Sequence, residues 1–185
     1  MISKSQVKDT IKARFFGDSA WKAYKKYYFK KSISLLDSSI LYNPTNSSSY
    51  HLKAEAQWSL GNYADAAETY RKLISISDKN LLKVSANVFL GMLYGMADMP
   101  RQAKAKYDSA VKLWESGYVP HKQFKMVEEF DYFLALAFLE EKAKAVKIIN
   151  GHNLDSLSYP KRHELENQNK RCLSLFDKTP KELLE

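Results

Sequence analysis

Cysteine is almost missing from this sequence: one residue, Cys172, stands among 185. A single thiol excludes an intramolecular disulfide and any thiolate metal cluster. With only five prolines and six glycines, turns are few and the elements should be long. No apolar run approaches the roughly 18 residues that a membrane span requires. The polar start, MISKSQVKDTIKARFF, has no apolar h-region, so no signal peptide is expected. The lone thiol fits a reducing cytosol, and a cytoplasmic location is the expectation. A cysteine-poor periplasmic protein whose signal segment had been removed would read the same.

Chemistry is missing as well. The four histidines, His51, His121, His152 and His163, form no metal spacing. The run KRHELEN has the beginning of a zincin helix motif, but the second histidine would have to stand where Asn167 is. Gly91 and Gly95 lie four apart inside a helical pattern, where close packing explains them better than a phosphate loop. Cys172 reads as a small packed hydrophobe. No nucleophile or acid–base pattern emerges, so the chain is expected to be non-enzymatic, with no catalytic residue, metal or cofactor.

What is present suits a folded helical protein. The composition is 45% hydrophobic and 27% charged, as in ordinary soluble domains. Twelve tyrosines and nine phenylalanines supply rings for interhelical gaps. The net charge of +8 allows an acidic partner, whether nucleic acid, anionic membrane surface or acidic protein, and does not choose among them.

Apolar periodicity predicts a helix over residues 3–16, with Val7, Ile11 and Phe15 on one face. Gly17-Asp18-Ser19 is expected to interrupt or bend it, and Asp18 or Ser19 to cap a new helix, SAWKAYKKYYF. The helix KKSISLLDSSILY follows and stops at Asn43-Pro44. Two helical patterns then flank the turn Leu60-Gly61-Asn62-Tyr63, and a third pair reads VSANVFLGMLYGMA and PRQAKAKYDSAVKLWESG. Pro100 suits a first helical turn and Gly117 a C-terminal cap.

Small residues recur in register. Ala20, Ala54 and Gly91 are each followed twelve residues later by Ser32, Ala66 and Ala103. Leu36, Tyr70 and Tyr107 come four later, then Ser39, Leu73 and Ala110. The copies are separated by 34 and 37 residues. Small residues at the centre of facing helices let the backbones approach, and large ones fill the space beside them.

On these residues the chain resembles the tetratricopeptide repeat family over about residues 13–117. The second copy matches through Tyr50, Ala54, Gly61, Tyr63, Ala66 and Tyr70, the third through Leu90, Gly91, Tyr94, Ala103, Tyr107 and Ala110. The resemblance implies an all-α fold: a short right-handed α-solenoid of helix-turn-helix repeats forming one domain over 1–185. Its repeats are expected at 13–46, 47–80 and 84–117, with a degenerate helical hairpin at 122–150 and a capping helix at 158–176. The final KTPKELLE is expected to fray. Lys53 and Gln57 depart from the family's apolar first-helix positions, which implies a rotated second repeat, and Asn87 replaces an aromatic.

In this family the first helices line a concave groove that holds a peptide, helix or domain. That face falls on Trp21, Tyr24 and Lys25, then His51, Glu55 and Trp58, then Val88, Met92 and Met96, each set at helical spacing. Aromatic and methionine anchors favour an interface core. The competing reading is internal packing, with Trp58 turned inward and the methionines covered by later helices. One branch of the family grips chaperone C-terminal carboxylates with cationic and amide side chains. The matching places here hold Gly17, Trp21, Leu52, Ser85 and Phe89, so that function does not carry over. The expected role is a protein-interaction scaffold, as adaptor, chaperone-like escort or inhibitor such as an immunity protein. The alternative is a nucleic-acid-binding repeat protein using lysines interleaved with aromatics, Lys25, Lys26, Lys30 and Lys31 foremost.

Overall fold

The computed structural model describes residues 4–117, 126–150 and 159–184. The first four residues of the expected fourth hairpin, 122–125, and the first of the expected capping helix, 158, lie outside them. The described residues form ten α-helices and no strand: α1 (Lys4–Tyr24), α2 (Phe29–Tyr42), α3 (Ser47–Ser59), α4 (Tyr63–Ile76), α5 (Asn80–Met96), α6 (Pro100–Gly117), α7 (Met126–Phe138), α8 (Lys142–Asn150), α9 (Tyr159–Ser174) and α10 (Pro180–Leu184). The fold is an all-α array of consecutive helical hairpins. It divides into two compact units, Met1–Ala86 and Asn87–Glu185.

Each hairpin turns in the same way. At Tyr27, Gly61, Asp98 and Glu140 the backbone takes a positive φ of 61°, 75°, 55° and 59°. At each, two hydrogen bonds close the preceding helix. The N–H of Tyr28 donates to the Ala23 carbonyl (3.0 Å) and that of Tyr27 to Tyr24 (2.8 Å). Asn62 and Gly61 repeat this onto Gln57 and Trp58, Met99 and Asp98 onto Tyr94 and Gly95, and Glu141 and Glu140 onto Leu136 and Ala137. This is the Schellman arrangement, in which a left-handed residue lets two otherwise unpaired carbonyls find donors. It recurs in the fourth hairpin, where side-chain resemblance has faded.

In the N-terminal unit two expectations are corrected. Gly17 neither stops nor restarts a helix, because α1 runs unbroken to Tyr24 and the expected extension to Phe29 is replaced by the Tyr27 turn. A glycine in a helix interior costs about 1 kcal/mol relative to alanine, a penalty outweighed here by burial of Ala13, Ala20 and Ala23 on either side. The face of α1 also differs. Ile11 and Phe15 are exposed, and the small residues face inward. Alanines bring α2 close enough for its serines to reach the α1 backbone: Ser32 Oγ donates to the Ala20 carbonyl (3.0 Å) and Ser39 Oγ to Ala13 (2.8 Å). Ser39 also meets Ser49 Oγ of α3 at 2.9 Å. These buried hydroxyls are thereby satisfied, as burial demands.

The second hairpin keeps the repeat register. Ala54, Ala66, Tyr70 and Leu73 are fully buried. The rotation expected from Lys53 and Gln57 does not occur, since each polar end has a partner. Lys53 Nζ pairs with Asp37 Oδ1 of α2 at 2.6 Å. Gln57 is buried, and its Oε1 accepts from Thr69 Oγ1 of α4 at 2.8 Å.

In the C-terminal unit Gly91 permits the closest approach. A Cβ built there would overlap the Tyr107 ring, which stacks on Phe138 of α7 (4.4 Å, 3° between planes). Trp114 stacks on Tyr132, so α6 packs on α7 through two aromatic pairs. Lys144 of α8 closes the group through Glu115 (2.6 Å) and Glu141 (3.3 Å). The expected fraying of the C-terminus is also corrected. The Thr179 N–H donates to Glu182 Oε2 (2.7 Å) and the Glu182 N–H to Thr179 Oγ1 (3.3 Å), a capping box that starts α10. Leu183 is then buried and Leu184 lies over Gly95.

Candidate functional site

In the N-terminal unit the first helices of successive hairpins lie side by side, and α2 packs behind α1 and α3. The wall formed by α1, α3 and the first turns of α5 carries most of the predicted residues. Its centre is polar and continuous. Ser85 Oγ lies 3.1 Å from His51 Nε2, and His51 Nδ1 lies 3.7 Å from Glu55 Oε2. Glu55 in turn acts electrostatically on the Tyr24 phenol, and the Ser59 hydroxyl donates to the Glu55 carbonyl at 2.9 Å.

The protonation states follow from burial. Loss of water pushes the His51 imidazole down to about 4, so it is neutral near pH 7. Its contact therefore leaves the charge of Glu55 in place. With the single ring proton on Nδ1, facing Glu55, Nε2 accepts from the Ser85 hydroxyl. The Tyr24 phenol is pushed up, first by burial and then by the Glu55 carboxylate, with the Ser59 hydrogen bond opposing both. The wall thus offers a neutral imidazole, a protonated phenol and a carboxylate.

Aromatic surface flanks this centre. Trp21 is 48% exposed and stacks on Tyr24 with ring centroids 5.9 Å apart and planes 8° from parallel. Lys25 Nζ lies 5.6 Å from the Trp21 ring centroid, within cation–π range. Trp58 is half-buried and meets Tyr63 of its own hairpin edge to face at 5.3 Å. It is neither core nor a free anchor: one face is used and part of the ring remains at the surface.

In the C-terminal unit the predicted residues divide. Val88 and Met92 are buried and present no surface, whereas Met96 is exposed. Asn87 is also buried. A cleft of about 590 Å³ lies in this unit, bounded among others by Ala103, Tyr107, Phe138 and Leu184. The Tyr107 hydroxyl is buried without a hydrogen-bond partner among the described residues.

Sequence reasoning missed Ser59 as part of the wall, and named Ser85 only as a groove place unable to grip a carboxylate. Ser59 is one position after Trp58 and Ser85 is 34 residues after His51, so the repeat period itself carried the second signal. Among the described residues no three histidine, cysteine or carboxylate side chains gather as metal ligands. His163 is hydrogen-bonded with Asn167 (3.1 Å), and Cys172 is buried. No helix among the described residues is long and apolar enough to cross a membrane.

No family model matches the chain, and no curated protein is similar to it. Among solved structures it is similar to YrrB, described as a TPR protein with an unusual peptide-binding site. Identity is 12%, the alignment covers 88% of this chain and 81% of that one, and the TM-score is 0.49.

Proposed function

We propose that the chain is a non-enzymatic protein-interaction scaffold that holds a peptide, helix or protein domain against the α1–α3 wall. The observation that carries this reading is the polar line Ser85–His51–Glu55 beside the stacked pair of Tyr24 and the exposed Trp21 ring. A peptide backbone needs donors and acceptors at regular spacing, and a partner side chain needs an aromatic platform. The wall supplies both. Tyr24, His51 and Glu55 orient the partner, Trp21 and the outer part of Trp58 anchor it, and Lys25 attracts acidic side chains. Met96 is a separate exposed anchor, whereas Val88 and Met92 serve packing. The absence of a nucleophile paired with a base in the sequence supports binding rather than catalysis.

Capture from native lysate, quantified by mass spectrometry, tests the reading with wild type, Trp21→Ala and Trp58→Ala side by side. One protein should be enriched by wild type and lose most of its signal with Trp21→Ala, while thermal unfolding changes little. Trp58→Ala should weaken capture less and lower the melting temperature, because its half-buried ring meets Tyr63 edge to face. Equal capture by all three would sink the assignment.

A further inference from the structure

We propose that the α1–α2 turn is a second contact surface, built for an acidic segment of a protein partner. It goes beyond the wall described above, because its centre is Tyr27, outside the His51–Glu55 line. Tyr27 occupies the left-handed turn position at φ 61°, where the next hairpin has Gly61 at φ 75°. A bulky L-residue is disfavoured there, and glycine is not. Nor is the ring buried in return. It is 80% exposed, with an edge contact to Phe29 at 6.1 Å. An unfavourable backbone holding an aromatic ring out in water points to a use for that ring.

The surroundings define what the ring would meet. Tyr28 is 61% exposed, and Trp21 stands one helical turn before the end of α1, so three rings share this end of the hairpin. From Ser19 to Leu36 there are five lysines, Lys22, Lys25, Lys26, Lys30 and Lys31, and no acidic residue. All five are exposed, and none is in an ion pair among the described residues. Aromatic rings at the centre and unneutralised cations at the rim form the anatomy of a protein interface for a negatively charged partner. Nucleic acid is the other polyanion. The stretch has no arginine, the side chain whose planar fork matches phosphate. Exposed tyrosine hydroxyls, by contrast, donate well to carboxylates. An acidic segment with interspersed apolar side chains fits both features.

Fluorescence anisotropy on the full chain tests this, with two labelled probes: a peptide of alternating Glu and Leu, and an oligouridylate of about 20 nucleotides. The peptide should bind the more tightly of the two, and its binding should weaken as salt rises. Tyr27→Gly should weaken it by about fivefold or more while the melting temperature stays equal to or rises above that of wild type. That opposition separates a binding role from a structural one. The variant Lys26→Gln/Lys30→Gln/Lys31→Gln should weaken binding and flatten its salt dependence. The proposal is overturned by tighter binding of the oligouridylate, by no binding of the peptide at low salt, by wild-type affinity in Tyr27→Gly, or by a lowered melting temperature in that variant. The wall's failure would be separate: Glu55→Gln tests the wall and leaves this turn unchanged.

Discussion

Gly91 sits under an aromatic ring that has nowhere to go. Its missing Cβ is the space occupied by Tyr107, and Tyr107 is held from the other side by Phe138. Gly91→Ala should therefore destabilise the chain by about 1–3 kcal/mol, the usual cost of overpacking, despite alanine's better helix propensity. Urea unfolding measures it, and an unchanged midpoint would show that the stack yields. His51 makes a pH-dependent contribution. Its folded pKa of about 4 lies below its ordinary 6.5, so the unfolded chain binds more protons between those values. Stability should be full above about pH 6.5 and fall as pH drops toward 4, by up to roughly 3 kcal/mol. His51→Gln should flatten that slope, and an unaltered slope would place the titration elsewhere. Lys53 and Gln57 mark the limit of legibility at this scale. Their types alone implied a rotated helix, because their partners, Asp37 and Thr69, lie on other helices and have no local signal. The serines of α2 were similarly opaque: Ser32 and Ser39 stand in for alanine only because carbonyls of α1 lie within reach.

At the scale of the element, the turn defines the repeat better than the helices do. Four left-handed residues recur with the same pair of closing hydrogen bonds, yet only Gly61 is a glycine. The second hairpin was therefore legible from its turn, and the others only from their helix packing. Tyr27 and Glu140 give no sequence warning of their positive φ, and Asp98 only the mild tolerance of aspartate for it. Glu140→Gly should stabilise the chain by about 0.5–1 kcal/mol, the left-handed strain relieved less the entropy of glycine. Gly61→Ala should destabilise by a similar amount. Chemical denaturation of both variants checks the pair, and parallel shifts in one direction would contradict the shared turn geometry. α10 is the element that composition misjudged. KTPKELLE is polar and terminal, but Thr179 and Glu182 cap it and Leu183 is buried. The capping spacing was present in the sequence, and its weight depended on a surface for Leu183 that only the fold provides.

For the whole molecule, the excess of positive charge is concentrated rather than spread. Five lysines without an acidic residue surround the first hairpin turn, and in the neighbouring α1–α3 wall Glu55 stands next to an uncharged imidazole. Of the nine residues first placed on a binding face, six lie on that wall, Met96 is exposed elsewhere, and Val88 and Met92 are buried. The repeat pattern located the helices that bear the candidate residues. It could not say which of their side chains would be covered, since burial depends on packing between helices far apart in the sequence. The central claim is that a protein partner is held on the α1–α3 wall. Hydrogen–deuterium exchange of the captured complex tests it most directly. The account predicts slowed exchange in α1 and α3 around Trp21, Tyr24 and Glu55, with α2 and α4 unchanged. Protection confined to α2 and α4, with α1 and α3 exchanging as in the free chain, would contradict it.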